Sequence, residues 1–521
     1  MKLHWSLRLL FAAFGGYVWS LGFTASAFAW FEWIVPGLLV LLSLHASRRL
    51  ALAAGFFFGA AFHTAALPWI YTVMRVHGNL DPMPAAGVLA LLVVYLALYP
   101  AGFSLCIALL GKRSLNRALL ASPFLWVAFE YAQTHAPFLG FPWNLAGYVA
   151  AKNPVLLQLA SVTGIYGLSF VMAAGGALIV WAWPAPERPS WKSLRIAIAL
   201  GVALVLILVT WIGNRSLPLS PSDHVAYLVQ TNFPELPAYP PNWMELHAGE
   251  MDELDRISVD AVRRSTASAP GGTLIVWPEV PAPFYFQDPK FAARAERIAR
   301  DSGAHFLAGV VEWRPGPDNR LLPYNSAVLL DLAGQRKFQY DKIHLVPFGE
   351  YVPLRRLLKF AGHLVAEVGD YQPGSAYAVG ELPGGKFGAF ICYEAIFPNE
   401  VRQFTANGAE LLINLSNDGW YGRSAAPEQH LAMARVRAVE NRRWLLRATN
   451  NGYTVAIDPY GREVARLAPD IRGVLRAPFS FRSDRTLYSR WGDWFAVACV
   501  IASVGFLAVT ILKVKRVEER K

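Results

Sequence analysis

Cysteine is scarce in this chain, three in 521 residues, which is too few for a disulfide framework. Cys106 and Cys499 fall in apolar stretches, leaving Cys392 without an obvious partner. Charge is scarce as well, at 16% against 54% hydrophobic residues and 18 tryptophans. That balance excludes an ordinary soluble chain and points to a membrane protein. No glycine-rich phosphate loop and no zinc-ligand spacing occurs, so neither a cofactor nor a metal is expected. There is no internal repeat and no low-complexity tract.

What the chain does have is long apolar runs, concentrated before about residue 214 and after about residue 490. Eight spans of bilayer length are expected, at about 8–24, 27–44, 50–72, 84–110, 118–135, 157–183, 195–213 and 492–512. Lys2, Arg8, Arg48, Arg49, Lys112, Arg113, Arg117, Arg188, Lys192 and Arg195 fall on one side of them, with Lys513, Lys515, Arg516, Arg520 and Lys521 of the tail. The opposite short loops offer Arg75 and Lys152. The positive-inside rule then makes both termini cytoplasmic and puts the long segment 214–490 outside. Ala25-Ser26-Ala27 and Ala27-Phe28-Ala29 resemble signal-peptide cleavage sites. Apolar sequence resumes at once, so a retained span is the reading; cleavage would leave the later topology unchanged. The expected organisation is a membrane domain over 1–213, an extracytoplasmic domain over 214–490, and a last span with a basic tail over 491–521.

A net charge of +11 invites a nucleic-acid reading, but its distribution removes it. Residues 214–490 hold 31 Lys and Arg against 30 Asp and Glu, a net +1, and the membrane part carries the remaining +10. The basic charge reports orientation, and no nucleic acid is expected as a partner.

Within 214–490, short apolar runs at Val225–Val229, Thr273–Trp277, Phe306–Val311, Ala327–Leu332, Phe387–Cys392 and Leu411–Leu415 read as strands buried on both faces. Helical stretches alternate with them at Trp243–Arg264, Pro289–Ser302, Pro398–Asn407 and Pro427–Arg442. The alternation predicts an α/β domain. Glu279 follows Leu274–Trp277, Lys342 follows a further short run at Phe338–Tyr340 and Cys392 closes the run from Phe387, at strand ends where α/β enzymes gather their chemistry. A thiol attacks as a thiolate; a nearby ammonium favours that form and a carboxylate can accept its proton. Lys342 and the backbone N–H after Cys392 can then stabilise the oxyanion of a tetrahedral intermediate. Taken singly, Cys392 reads equally as a small buried hydrophobe, Glu279 as a loop acid, and Lys342 as half of a surface pair with Asp341.

The motifs around these residues carry a resemblance. Trp277-Pro278-Glu279, the run from Lys342 through Phe348-Gly349-Glu350-Tyr351-Val352-Pro353, and Cys392-Tyr393-Glu394 resemble the nitrilase superfamily. The membrane frame, with Asn414–Gly422 and Arg437–Asn441, narrows the resemblance to the apolipoprotein N-acyltransferases and extends it over essentially the whole chain. It implies a helical membrane bundle carrying an αββα nitrilase-like domain, in the bacterial inner membrane with that domain facing the periplasm. It implies Glu279 as general base, Lys342 as oxyanion stabiliser and Cys392 as acylated nucleophile, with Glu350, Tyr393, Glu394 and Trp420 supporting them. The implied donor is a phospholipid, typically phosphatidylethanolamine, and the acceptor is the α-amine of a diacylglyceryl-cysteine on an apolipoprotein. A membrane-tethered amidase and a non-catalytic transporter or receptor are the alternatives. Ammonia release without lipid would mark the first, and ligand binding indifferent to Cys392 the second. Arg355–Phe360 suits a membrane surface or an ordinary helix end. Pro283–Phe286 and Trp420-Tyr421 suit a lipid cleft or core, Gly140–Asn144 suits a loop facing the outer domain, and Glu130 suits a functional acid or a satisfied helix-end acid.

Overall fold

The computed structural model describes residues 4–24, 31–137, 139–183, 192–236, 239–240, 242–264, 273–280, 282–316, 319–351 and 371–518. Arg355–Phe360, Val352, Pro353 and the two signal-peptide-like sites lie outside them. The chain forms two compact units: Met1–Pro68, Met83–Pro218 and Trp491–Lys521 make one, Trp69–Pro82 and Leu219–Arg490 the other.

The first unit is helical. Among the described residues, five of its helices are long and apolar enough to cross a membrane: Trp5–Thr24, Arg48–Ala66, Pro82–Gly111, Ile165–Ala182 and Leu194–Ser216, with the shorter apolar Trp494–Thr510 beside them. Leu115–Thr134 is a further helix, with Pro123 inside it. Three expected spans come out broken. Of 27–44, residues 27–30 lie outside the described residues, Phe31–Trp33 is a 3-10 turn and the α-helix is Val35–Ser43. The run 50–72 breaks at Leu67, because Pro68 bars the residue before it from the helical region. Beyond that break Trp69–Pro82 joins the second unit. The run 157–183 breaks at Gly164, at φ +66°, before the helix Ile165–Ala182 starts. Where Val35–Ser43 meets Ile165–Ala182, a Cβ on Gly37 would fall 2.5 Å from the Gly176 carbonyl oxygen; small residues allow this backbone approach. Glu130 accepts from Trp126 Nε1 (2.9 Å) and the Ala146 amide (2.7 Å), tying its helix to the chain after Gly140–Asn144.

Among the described residues the second unit holds twelve strands in two six-stranded sheets. In chain order they are β1 His224–Gln230, β2 Thr273–Val276, β3 His305–Pro315, β4 Leu321–Leu330, β5 Arg336–Asp341, β6 Val379–Leu382, β7 Gly385–Ile391, β8 Leu411–Ser416, β9 Trp444–Thr449, β10 Val455–Ile457, β11 Glu463–Arg466 and β12 Gly473–Phe479. The first sheet runs β12-β1-β2-β3-β4-β5 and the second β11-β10-β9-β8-β7-β6. The centres, β1-β2-β3 and β7-β8-β9, are parallel and their edges antiparallel. Side chains alternate along a strand, which sorts the core into layers. Ala226, Leu228, Leu274 and Val276 face the interior shared with Ala389, Ile413 and Leu446 of the second sheet. Val225, Tyr227, Val229 and Ile275 face the other way, onto Met251, Leu254, Phe291 and Ile298 of the helices Ala248–Arg263 and Pro289–Ser302. The helices Pro398–Ala406 and Ala426–Asn441 add Val401, Phe404, Leu431 and Ala438 to the second sheet's core. The result is an αββα nitrilase-like domain.

Candidate active site

Glu279 stands three residues past β2, where Trp277 is buried and donates its Nε1 to Ser258 (3.0 Å). The chain there presses on β3: Gly309 N donates to Pro278 O at 3.2 Å. A Cβ on Gly309 would sit 2.6 Å from Glu279 Cα and 2.5 Å from Pro278 O, so only glycine lets the acid settle here.

Lys342 follows β5 and is 1% exposed. Its Nζ donates to Glu279 Oε1 (3.1 Å) and Glu350 Oε1 (3.0 Å). Asn325 of β4 donates its Nδ2 to the same two oxygens, at 2.8 Å each, and its carbonyl accepts the Lys342 amide. Glu350 is fixed from behind by the Val346 amide (2.8 Å). Burial works against the Lys342 charge, but the two carboxylates more than offset it and hold its pKa well above the usual lysine range. Asn325 is a site residue that the sequence did not single out; an Asn inside an apolar strand carries no local signal.

Cys392 directly follows β7 and opens a 3-10 turn, at φ +48°, a left-handed conformation uncommon outside glycine. Two ties hold it there. Glu394 accepts from the Ile391 amide (2.7 Å) on one oxygen, and from Tyr340 Oη (2.6 Å), Ile343 N (2.8 Å) and His344 N (3.2 Å) on the other. It therefore locks the turn at the thiol to the start of the lysine loop. Burial raises its carboxyl to about 7, against those donors. The second tie is His430, whose Nε2 donates to Cys392 O at 3.0 Å. On its other nitrogen His430 meets Asp418 (3.1 Å) and Arg447 (3.2 Å), all three buried. Arg447 and His430 pull the Asp418 carboxyl well below its ordinary range, outweighing burial. His430 itself is lowered, by burial and by Arg447.

The Cys392 thiol is raised by burial first and then by the Glu279 charge; Lys342 opposes both and does not prevail. The thiol hydrogen-bonds Ser416. The Lys342 ammonium favours the thiolate as expected, but burial and the Glu279 charge outweigh it, so the balance at the resting sulfur lies toward the thiol. Glu279 is pinned on its far side too, its Oε2 accepting the Asn417 amide at 3.0 Å.

The structure gathers Glu279, Lys342, Glu350 and Cys392 in one cluster, with Glu394 bracing it. Tyr393 is buried against His344 (5.7 Å between rings) and Phe397 (5.3 Å) rather than in the ion cluster. Trp420 is 41% exposed, its ring 4.9 Å from His77. Tyr421 meets Trp69 at 5.0 Å. Of the aromatic run after Glu279, Phe284 is core and Tyr285 is exposed.

Two family models divide the chain. Residues 228–483 match the carbon-nitrogen hydrolase model, and residues 15–178 match the apolipoprotein N-acyltransferase N-terminal domain. An apolipoprotein N-acyltransferase of Geobacter metallireducens is 35% identical over 498 residues, 94% of this chain and 93% of that one. One from Methylococcus capsulatus is 33% identical over 504 residues, 95% of each chain. A crystal structure of an amidase from Nesterenkonia sp. aligns with 21% identity and a TM-score of 0.37, covering 51% of this chain and 94% of that one. With both domain models matched and relatives of 33–35% identity covered nearly end to end, the chain belongs to the apolipoprotein N-acyltransferase family.

Proposed function

We propose that the protein moves a fatty acyl chain from a membrane phospholipid, through a thioester on Cys392, to the α-amine of a diacylglyceryl-cysteine at an apolipoprotein N-terminus. The observation that carries this reading is the buried Glu279–Lys342–Glu350 cluster within electrostatic reach of a protonated Cys392 thiol. As Sγ attacks the donor ester, its proton passes to Glu279. The carbonyl oxygen gains charge, which Lys342 and the Tyr393 N–H stabilise. Collapse expels the lysophospholipid alkoxide, which takes the proton from Glu279, and the acyl group stays on sulfur. The acceptor amine then attacks the thioester and Cys392 leaves as the thiol. Glu350 holds Lys342 in place, Glu394 holds the thiol turn, and Tyr393 and Trp420 form the flanks.

Phosphatidylethanolamine is the donor in this reading. The membrane part is 1–213 with 491–521, in about eight crossings of the bacterial inner membrane, and the catalytic domain of 214–490 faces the periplasm. The lysine and arginine distribution supports that orientation. Mass spectrometry after exposure to phosphatidylethanolamine vesicles tests the mechanism. A hydroxylamine-sensitive acyl adduct on Cys392 is expected, and its absence from an active preparation overturns the covalent route.

A further inference from the structure

Proton bookkeeping separates the two half-reactions. In the first, the thiol proton goes to Glu279 and on to the departing alkoxide, so one base suffices. In the second, the acceptor arrives as an ammonium, since an α-amine has a pKa of about 8. Its nitrogen must shed two protons to end as an amide. One returns through Glu279 to the Cys392 sulfur, and the other needs a second acceptor.

We propose that Glu235, which nothing above assigns, is that second base and takes the surplus proton of the acceptor ammonium before the thioester is attacked; the inference rests on the function proposed above. Glu235 lies five residues past β1, and its carboxyl hydrogen-bonds the side chains of Asn417, Asn450 (2.9 Å) and Tyr239. Asn417 is also the residue whose amide donates to Glu279 Oε2 (3.0 Å), so one residue touches both carboxylates. Glu235 packs on Gly419, where a Cβ would come 2.9 Å from its Oε1. Part of its surface stays open. The groups facing it are therefore Tyr239 from its own loop, Glu279 past β2, Asn417 past β8 and Asn450 past β9.

A purely structural role does not account for a carboxyl here. Asn450 Nδ2 already meets Phe233 O (2.8 Å) and Asn417 Oδ1 (3.2 Å), so this corner is tied together without Glu235. Burial, and the charge of Glu279 against the pull of Asn417 and Asn450, raise the Glu235 carboxyl to about 8. At that value Glu235 rests mostly as the acid at pH 7; a docked ammonium favours its carboxylate, and the two groups then lie close enough for the proton to pass. In the step itself, the ammonium N–H breaks and its proton forms O–H on Glu235. The freed nitrogen pair attacks the thioester carbon, C–S breaks, and the second N–H proton reaches sulfur by way of Glu279. Glu235 then releases its proton to solvent.

Glu235→Gln in the full-length protein tests this, with the two half-reactions read separately. Formation of the Cys392 adduct from phosphatidylethanolamine should stay within about twofold of the parent. Transfer from acyl-enzyme to a diacylglyceryl-cysteinyl peptide at pH 7 should fall tenfold or more and recover as pH rises and solvent deprotonates the amine. Cleavage of the same acyl-enzyme by hydroxylamine, which is largely neutral at pH 7, should be unchanged. Glu235→Asp should restore part of the peptide transfer. Parent-like transfer by Glu235→Gln at pH 7, or an equal loss in both half-reactions and with hydroxylamine, overturns the proposal. Failure of the parent protein to form the adduct at all would instead refute the underlying function.

Discussion

Replacing Lys342 with Met removes the cation held between the Glu279 and Glu350 carboxylates. The Lys342 side chain is 1% exposed, Glu279 7% and Glu350 13%, and the ammonium sits 3.1 and 3.0 Å from them. Removing one partner of such a cluster leaves buried charge uncompensated, which typically costs about 3–5 kcal/mol. At roughly 2–4 °C per kcal/mol for a domain near this size, the melting temperature should drop on the order of 10 °C. The cost belongs to the carboxylates left behind, so Glu350→Gln should relieve part of it. The double variant Lys342→Met/Glu350→Gln should then be destabilised by less than the sum of the single changes, with a coupling above about 1 kcal/mol. Chemical or thermal unfolding in detergent, followed by far-UV circular dichroism, measures all four proteins. If Lys342→Met melts within a degree or two of the parent, or the two changes simply add, the three groups do not form one electrostatic unit. Either way Lys342→Met should lose the acyl adduct.

Cys392→Ser and Cys392→Ala should unfold like the parent and transfer no acyl group, which melts and mass spectrometry check together. The raised thiol makes iodoacetamide labelling of Cys392 slower at pH 7 than that of an exposed cysteine, accelerating steeply towards pH 10; labelling faster than a free thiol at pH 7 would contradict a protonated resting state. Gly309→Ala should displace Glu279 and cut adduct formation at least tenfold, while its folded protein still binds to phospholipid vesicles. The folded-state pKa of His430 lies below its unfolded value of about 6.5, so its contribution to stability is complete above that pH and is lost as pH falls. Unfolding free energy should therefore decline below pH 6.5 by up to about 1.4 kcal/mol per unit, and His430→Gln should flatten that slope.

The central strands were legible because β1, β2, β7 and β8 are buried on both faces and so read as unbroken apolar runs. β9 was not among the expected strands: Arg447 interrupts it, and that arginine is buried because Asp418 meets it from a turn 29 residues earlier. β11 is short and mostly exposed, with no pattern to detect. Glu279, Lys342 and Cys392 could be picked out by position, each following a strand. What joins them could not, because Asn325, Asn417 and His430 are ordinary residues until the fold brings them to the cluster. Two membrane stretches were overcounted in length for a related reason. An apolar run measures hydrophobicity, whereas Pro68 and the positive φ of Gly164 decide where a helix can continue.

The placement of Glu279 and Lys342 on the first sheet and Cys392 on the second makes the chemistry a property of their docking. In the proposed mechanism, a chain with only the first sheet formed owns a base without a nucleophile, and one with only the second owns an inert thiol. Acylation thus reports complete assembly of the domain. Two fragments cut between β5 and β6 part Glu279 from Cys392, with β12 of the first sheet left on the second fragment; each should be silent alone and regain the thioester only when they reassociate.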